Sequence, residues 1–285
     1  GWRLSVNEEI LVSPQRLNEL ISAGTCVVFD CRFDLSDTEA GRKAWLSGHV
    51  PGARYAHLDA DLSSPILTYT GRHPLPDAGE FARFLARAGW QPETALVAYD
   101  EGSNAIASRL WWLMRYHGHS AALLDGGLAA WKAAGFPLVS GQEEARAAPV
   151  TELSPQRELT VTTADVLAGL GQLAVVDARA SERFSGEVEN LDSKAGHIPG
   201  ALNRPFGANL QMNGRFKNRS TLQAEFSAFL KDHSLADVVH SCGSGVTACH
   251  NLFAMELAGL VGTRLYPGSW SEWIRDPSRP LETGS

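Results

Sequence analysis

Of the four cysteines in this chain, Cys242 stands where a thiol could do chemistry. It closes an apolar run, "VVHS", and is followed by Gly243-Ser244-Gly245-Val246-Thr247 and then a helix-like pattern. A thiol becomes a useful nucleophile at neutral pH when its pKa is lowered. A tight loop of small residues supplies that without a charged side chain. Its backbone N–H groups point inward, and the helix that follows adds the positive end of its dipole. Gly243 and Gly245 permit positive φ and close approach to the sulfur, while Ser244 and Thr247 offer hydroxyl donors. The plain alternative is a buried structural thiol at a strand end. Cys249, among Val246, Leu252 and Phe253, reads as core, as do Cys26 and Cys31 beside an earlier strand.

An internal repeat provides a control on that reading. "CVVFDCR" (26–32) corresponds to "LAVVDAR" (173–179), and "GHVPGA" (48–53) to "GHIPGA" (196–201). "LVAYD" (96–100) corresponds to "VVHSC" (238–242), and "LLDGGLAAW" (123–131) to "LYPGSWSEW" (265–273). Four blocks in one order at nearly constant offset indicate a duplicated domain. The expected division is a first domain over 1–140, a linker rich in Pro, Ser and charge over 141–157, and a second domain over 158–285.

Features shared by both copies serve the fold; features of one copy are candidates for chemistry. Asp30/Arg32 and Asp177/Arg179 are shared and read as strand-end ion pairs. His49 and His197, in the two "GHxPGA" turns, read as hydrogen-bonded turn residues. At the loop the copies part, because Asp100-Glu101-Gly102-Ser103-Asn104 stands where Cys242 begins its loop. The first copy has no thiol there, so the second is the candidate catalytic unit. Arg183, six residues after the shared Asp177, faces Ser36 in the first copy and is a candidate anion contact.

Positioning these residues falls to alternating elements. "CVVFD", "ALVAYD" and "AALLD" read as buried strands, and "AGEFARFLARAG" and "AIASRLWWLMRYHG" carry helical spacing. "TLQAEFSAFLKD" and "VTACHNLFAMELAGL" play those helical parts in the second copy. Strands alternating with helices imply an α/β fold, with a parallel sheet covered on both faces in each copy. Sites in such sheets form where strands end and helices begin, and Cys242 lies at such an end.

The bulk composition narrows the classes. With 25 basic and 32 acidic residues the formal net charge is −7, against a nucleic-acid binder. Four scattered cysteines form neither a disulfide framework nor a zinc pattern, so reduced thiols and a cytoplasmic setting are expected. No apolar run approaches the roughly 20 residues that span a bilayer, and residues 1–3 do not begin a signal peptide.

"CGSGVTA" after an apolar strand, preceded by "GHIPGA" and repeated in a copy without the cysteine, resembles the tandem-domain rhodanese-like sulfurtransferases. The resemblance extends over "TGRHPLP" (70–76) and "YPGSWSEW" (266–273), and the six-residue loop is similar to that of 3-mercaptopyruvate sulfurtransferases. Thiosulfate sulfurtransferases of the eukaryotic type carry basic residues just after the cysteine, where this chain has Gly243 and Ser244. The resemblance implies two tandem rhodanese-like domains and Cys242 as the persulfide-forming nucleophile. Gly243, Gly245, Val246 and Thr247 would line the substrate, and Arg183 would contact its carboxylate. A relay of Ser244, His49 and Asp37 is implied, with no metal or organic cofactor. Mercaptopyruvate enzymes usually carry a second Arg nine residues after the first; that position is Asp192, and Lys194 is the nearby substitute. The implied partners are a small-molecule sulfur donor and a thiol acceptor such as thioredoxin, or cyanide. Thiosulfate as donor and a non-catalytic persulfide carrier or scaffold are the alternatives. A cysteine phosphatase would need an Arg closing the loop, where Ala248 stands, and a loop one residue longer.

Overall fold

The structure, a computed structural model, describes residues 9–285; the terminus at residues 1–3, read above for a leader, lies outside them. The chain divides into two compact units. The first holds the chain up to Ser64, Pro76–Pro155 and Met212–Phe216; the second holds Pro65–Leu75, Gln156–Gln211 and Lys217–Ser285. Each unit therefore takes one short segment from the other half of the sequence, which contiguous domains would not do.

Among the described residues of the first unit, five strands form one parallel sheet: β1 (Leu11–Val12), β2 (Cys26–Asp30), β3 (Arg54–Tyr55), β4 (Ala95–Tyr99) and β5 (Ala122–Leu124). Their order is β1-β5-β4-β2-β3. The second unit has β6 (Ala174–Asp177), β7 (Leu202–Asn203), β8 (Val238–Ser241) and β9 (Arg264–Leu265), in the order β7-β6-β8-β9 and again parallel. The α/β architecture read from the sequence is the one observed. Strand β6 reads apolar up to Asp177 at its end because both faces of its sheet are covered. Val176 and Val238 pack with Leu222, Phe226 and Met255, while Val175 and Val239, on the opposite side of the pleat, pack with Tyr266, Trp270 and Trp273.

The shared ion pairs are anchors. Arg32 grips Asp30 and donates to the Gly48 carbonyl at 2.7 Å; Arg179 grips Asp177 and donates to the Gly196 carbonyl at 2.8 Å. Each pair ties the C-terminal end of a central strand to its "GHxPGA" turn. The turn histidines behave alike too: Nδ1 of His49 meets the Trp45 carbonyl and Nδ1 of His197 the Phe184 carbonyl, both at 2.7 Å. His240, on β8, is fully buried, and burial pushes its pKa down to about 3, so its ring stays neutral. No helix among the described residues is long and apolar enough to cross a membrane.

Candidate active site

Strand β8 delivers Cys242 to the mouth of its sheet, and the loop 242–247 leads into the helix Ala248–Leu257. The loop is pinned from behind by the "YPGSW" turn. The Cys242 carbonyl accepts from the Trp270 amide at 3.0 Å and the Gly243 carbonyl from the Ser271 amide at 2.9 Å. The Cys242 amide donates to Ser269 Oγ at 3.1 Å. In front, the Gly245 amide donates to Cys242 Sγ at 3.0 Å. Gly245 has φ +84°, and a Cβ there would collide with the Pro267 carbonyl, so only glycine fits. Val246 is buried, and Thr247, at the N-cap of the helix, makes no side-chain capping bond.

The other thiols lack such support. Burial pushes Cys26 up to about 12, and burial, aided by Asp30 and Asp100, pushes Cys31 well above the ordinary thiol range. Both remain protonated near neutrality. Cys249 Sγ lies 3.5 Å from the Gly245 carbonyl inside the helix, away from the loop mouth.

Ser269 has φ +55°, a conformation that costs a non-glycine residue roughly 1–2 kcal/mol. Its counterpart in the repeat is Gly127, with φ +60°. Where the first copy has an unstrained glycine the second has a strained serine, whose hydroxyl accepts from the Cys242 amide. Ser269→Ala keeps the strain and leaves that buried amide unpaired, so it should lose about 1–3 kcal/mol of stability. Ser269→Gly loses the same bond but sheds the strain, and should be close to neutral. Urea unfolding of both variants checks this; equal losses would show that the strain is not there.

Ser244 Oγ meets Nδ1 of His73 at 2.7 Å, and both residues are buried. The histidine beside the loop serine is thus His73, not His49. His49 has both ring nitrogens engaged within the first unit, by the Trp45 carbonyl and by Glu143 Oε1 at 3.0 Å. Asp37 is exposed, and its carboxylate accepts from the Glu39 amide in the turn before the helix Ala40–Ser47. It is a turn residue.

The signal for His73 was in the sequence. Gly71-Arg72-His73 corresponds to Gly214-Arg215-Phe216 at an offset of 143, a fifth block of the repeat. The histidine occurs in one copy only, whereas His49 has a counterpart in His197. These are the two segments that each unit takes from the other half of the sequence. Phe216, in the first unit, donates its amide to Asp125 at 2.9 Å. His73→Phe, which installs the first copy's solution, should lower kcat by about 10²- to 10⁴-fold, the usual worth of a proton-transferring group. His49→Gln should instead lower the melting temperature and change kcat little. A His49 variant that is inactive yet melts normally would reverse the assignment.

Arg183 lies at the loop with its Nη2 3.2 Å from Glu189 and 3.3 Å from Asp192. Its Nε is buried with no hydrogen-bond partner among the described residues. Burial pushes Glu189 up, but the amides of Asp192 and Leu191 and the Arg183 guanidinium outweigh it, so the carboxyl is held below its ordinary range. Asp192 binds a second guanidinium as well, that of Arg72, at 3.1 Å. A Cβ on residue 243 would stand 2.7 Å from Arg72 Nη2 and 3.5 Å from Arg183 Nη1. Both guanidiniums therefore crowd the space above Gly243. The second cation at the loop is Arg72, not Lys194. Lys194 offers its carbonyl to Trp270 Nε1 at 2.8 Å, and its ammonium acts on Asp276, whose carboxyl is lowered mainly by hydrogen bonds from Ser278. Asp192 takes the place of a second arginine in sequence, and in space it holds one that comes from elsewhere in the chain.

Two parallel sheets, a repeated strand-end anchor and a cysteine loop in one copy define a class. The model of the rhodanese-like domain matches residues 13–134 and 162–276, and the chain belongs to that family. It is 47% identical over 279 residues to a probable 3-mercaptopyruvate sulfurtransferase of Pseudomonas aeruginosa, covering 96% of this chain and 98% of that one. It is 38% identical to a putative thiosulfate sulfurtransferase of Mycobacterium tuberculosis, covering 97% and 98%. Among solved structures it is similar to the 3-mercaptopyruvate sulfurtransferase from Leishmania major, with a TM-score of 0.83, 30% identity and coverage of 94% and 76%.

Proposed function

We propose that this chain transfers sulfur from 3-mercaptopyruvate to a thiol or cyanide by way of a persulfide on Cys242. The observation that carries the reading is the placement of Sγ against the Gly245 amide with two guanidiniums, Arg72 and Arg183, over Gly243. The Cys242 thiolate attacks the donor's sulfur, the donor's C–S bond breaks, and pyruvate leaves as its enolate. The donor's own S–H proton passes through His73 and Ser244 to that enolate, which leaves the persulfide as its anion. The Gly245 amide stabilises the sulfur anion before attack and the persulfide anion after it. In the second half an acceptor thiolate, such as that of thioredoxin, or cyanide attacks the outer sulfur and returns Cys242 as a thiolate. The chemistry uses no metal or organic cofactor. All four cysteines are free, which suits a reducing, cytoplasmic compartment. The second unit would be catalytic and the first structural.

A second reading, thiosulfate as donor, is favoured by Arg72. Thiosulfate carries its charge beside the attacked sulfur, and Arg72 Nη2 occupies the space that a basic side chain on residue 243 would fill. A comparison of kcat/KM for the two donors, with Cys242→Ser as control, decides between them. Donor-dependent persulfide formation without turnover would instead indicate a carrier.

A further inference from the structure

The first unit also has a loop at the mouth of its sheet, and it is built differently. It runs over 100–106 between β4 and the helix Ala107–Tyr116, one residue longer than the cysteine loop. The Asp100 carboxylate fills its amide cradle, accepting from the amides of Gly102, Asn104, Ile106 and Ala107 at 2.8–3.2 Å. Those four amides are therefore already taken by the protein's own carboxylate. Beside the cradle opens a cavity of about 500 Å³, within the size range of small-molecule sites.

Phe33, Ala44 and Ile106 give this cavity apolar walls, and Arg32, Asp34 and Glu101 supply charge at its lining. Arg32 is already committed, to Asp30 at 2.6 Å and to the Gly48 carbonyl. Its remaining contact with Glu101 is long, 3.9 Å, and the Glu101 side chain is 70% exposed. The charge left over at the cavity is therefore negative. Asp34 Oδ1 accepts from the Ser36 amide and hydroxyl at 2.9 and 2.7 Å, neutral donors that leave its charge in place. An apolar chamber lined by carboxylates with no cation left to pair them takes a ligand with an apolar body and one cationic group. We infer that the first unit retains a binding site at its vestigial loop, for a small organic ammonium ion. In this copy an aspartate stands where the other has its cysteine, and a pocket lies beside it.

The test uses the full chain, isotope-labelled, titrated separately with 2-phenylethylamine and with its carboxylate counterpart 3-phenylpropionate. Saturable amide shifts centred on Phe33, Ala44 and Ile106 are expected for the amine, with Kd about 1 mM or tighter, as suits a ligand of that size. The carboxylate should bind at least about tenfold more weakly. Ala44→Leu, which fills the cavity, should abolish the shifts, and Glu101→Gln should weaken amine binding about three- to fivefold while leaving sulfur transfer unchanged. Cys242→Ser should bind the amine as the native chain does, so the result stands whether or not Cys242 is the nucleophile. Equal or tighter binding of the carboxylate, shifts centred elsewhere, or no saturation by about 10 mM amine would each overturn the site.

Discussion

Cys242→Ser should abolish sulfur transfer, lowering turnover by at least about a thousandfold, while leaving thermal unfolding nearly unchanged. The hydroxyl is isosteric enough to keep the loop, because the Gly245 amide still finds an acceptor and the Cys242 carbonyl and amide bonds to Trp270 and Ser269 involve only main chain at that residue. A serine has no thiolate to attack sulfur and cannot form a persulfide. In the native protein, donor treatment should add one sulfur, roughly 32 Da, to the peptide carrying Cys242. Cys249→Ala should keep most activity, since that thiol faces the Gly245 carbonyl inside the helix. Sulfur found instead on Cys26 or Cys31 would sink the assignment; both are held protonated by burial.

The strands and helices were legible because their signals are local. "CVVFD" is an apolar run of strand length between turn residues, and β2 occupies Cys26–Asp30. The helix Ala78–Arg87 follows its three- and four-residue spacing and starts at Asp77, whose side chain accepts from the Glu80 amide. Cys242 was legible for a similar reason, because its loop is continuous in sequence. The contact between Ser244 and His73 was not, since they are separated by 171 positions and nothing local joins them. Comparing the copies could have found it, because His73 faces Phe216 in the repeat while His49 faces His197. The family pattern pointed to the turn histidine, and the control built into the chain pointed away from it. Asp192 misled in the same manner. Read along the sequence it is a missing arginine, but the ion pair it makes with Arg72 spans 120 positions.

That ion pair is expected to set the donor preference. Arg183 and Arg72 share Asp192, and with both above Gly243 a donor carboxylate entering there is expected to meet two guanidiniums already oriented. Loss of a charge-assisted contact costs about 1.5–3 kcal/mol, or roughly ten- to a hundredfold in kcat/KM. With 3-mercaptopyruvate, Arg183→Ala should lose that much chiefly through KM, because the carboxylate is bound equally before and during attack. Thiosulfate should respond more to Arg72→Ala, since Arg72 Nη2 occupies the space that a basic side chain on residue 243 would fill. The two single losses should not add, as each frees Asp192 to bind the remaining arginine more tightly. The native protein should favour mercaptopyruvate in kcat/KM, because the loop itself carries no cation and Arg72 is partly neutralised by Asp192. Steady-state kinetics of the three proteins with both donors decides the matter. A native preference for thiosulfate, with Arg183→Ala indifferent to mercaptopyruvate, would transfer the donor assignment to thiosulfate and make Arg72 its principal contact.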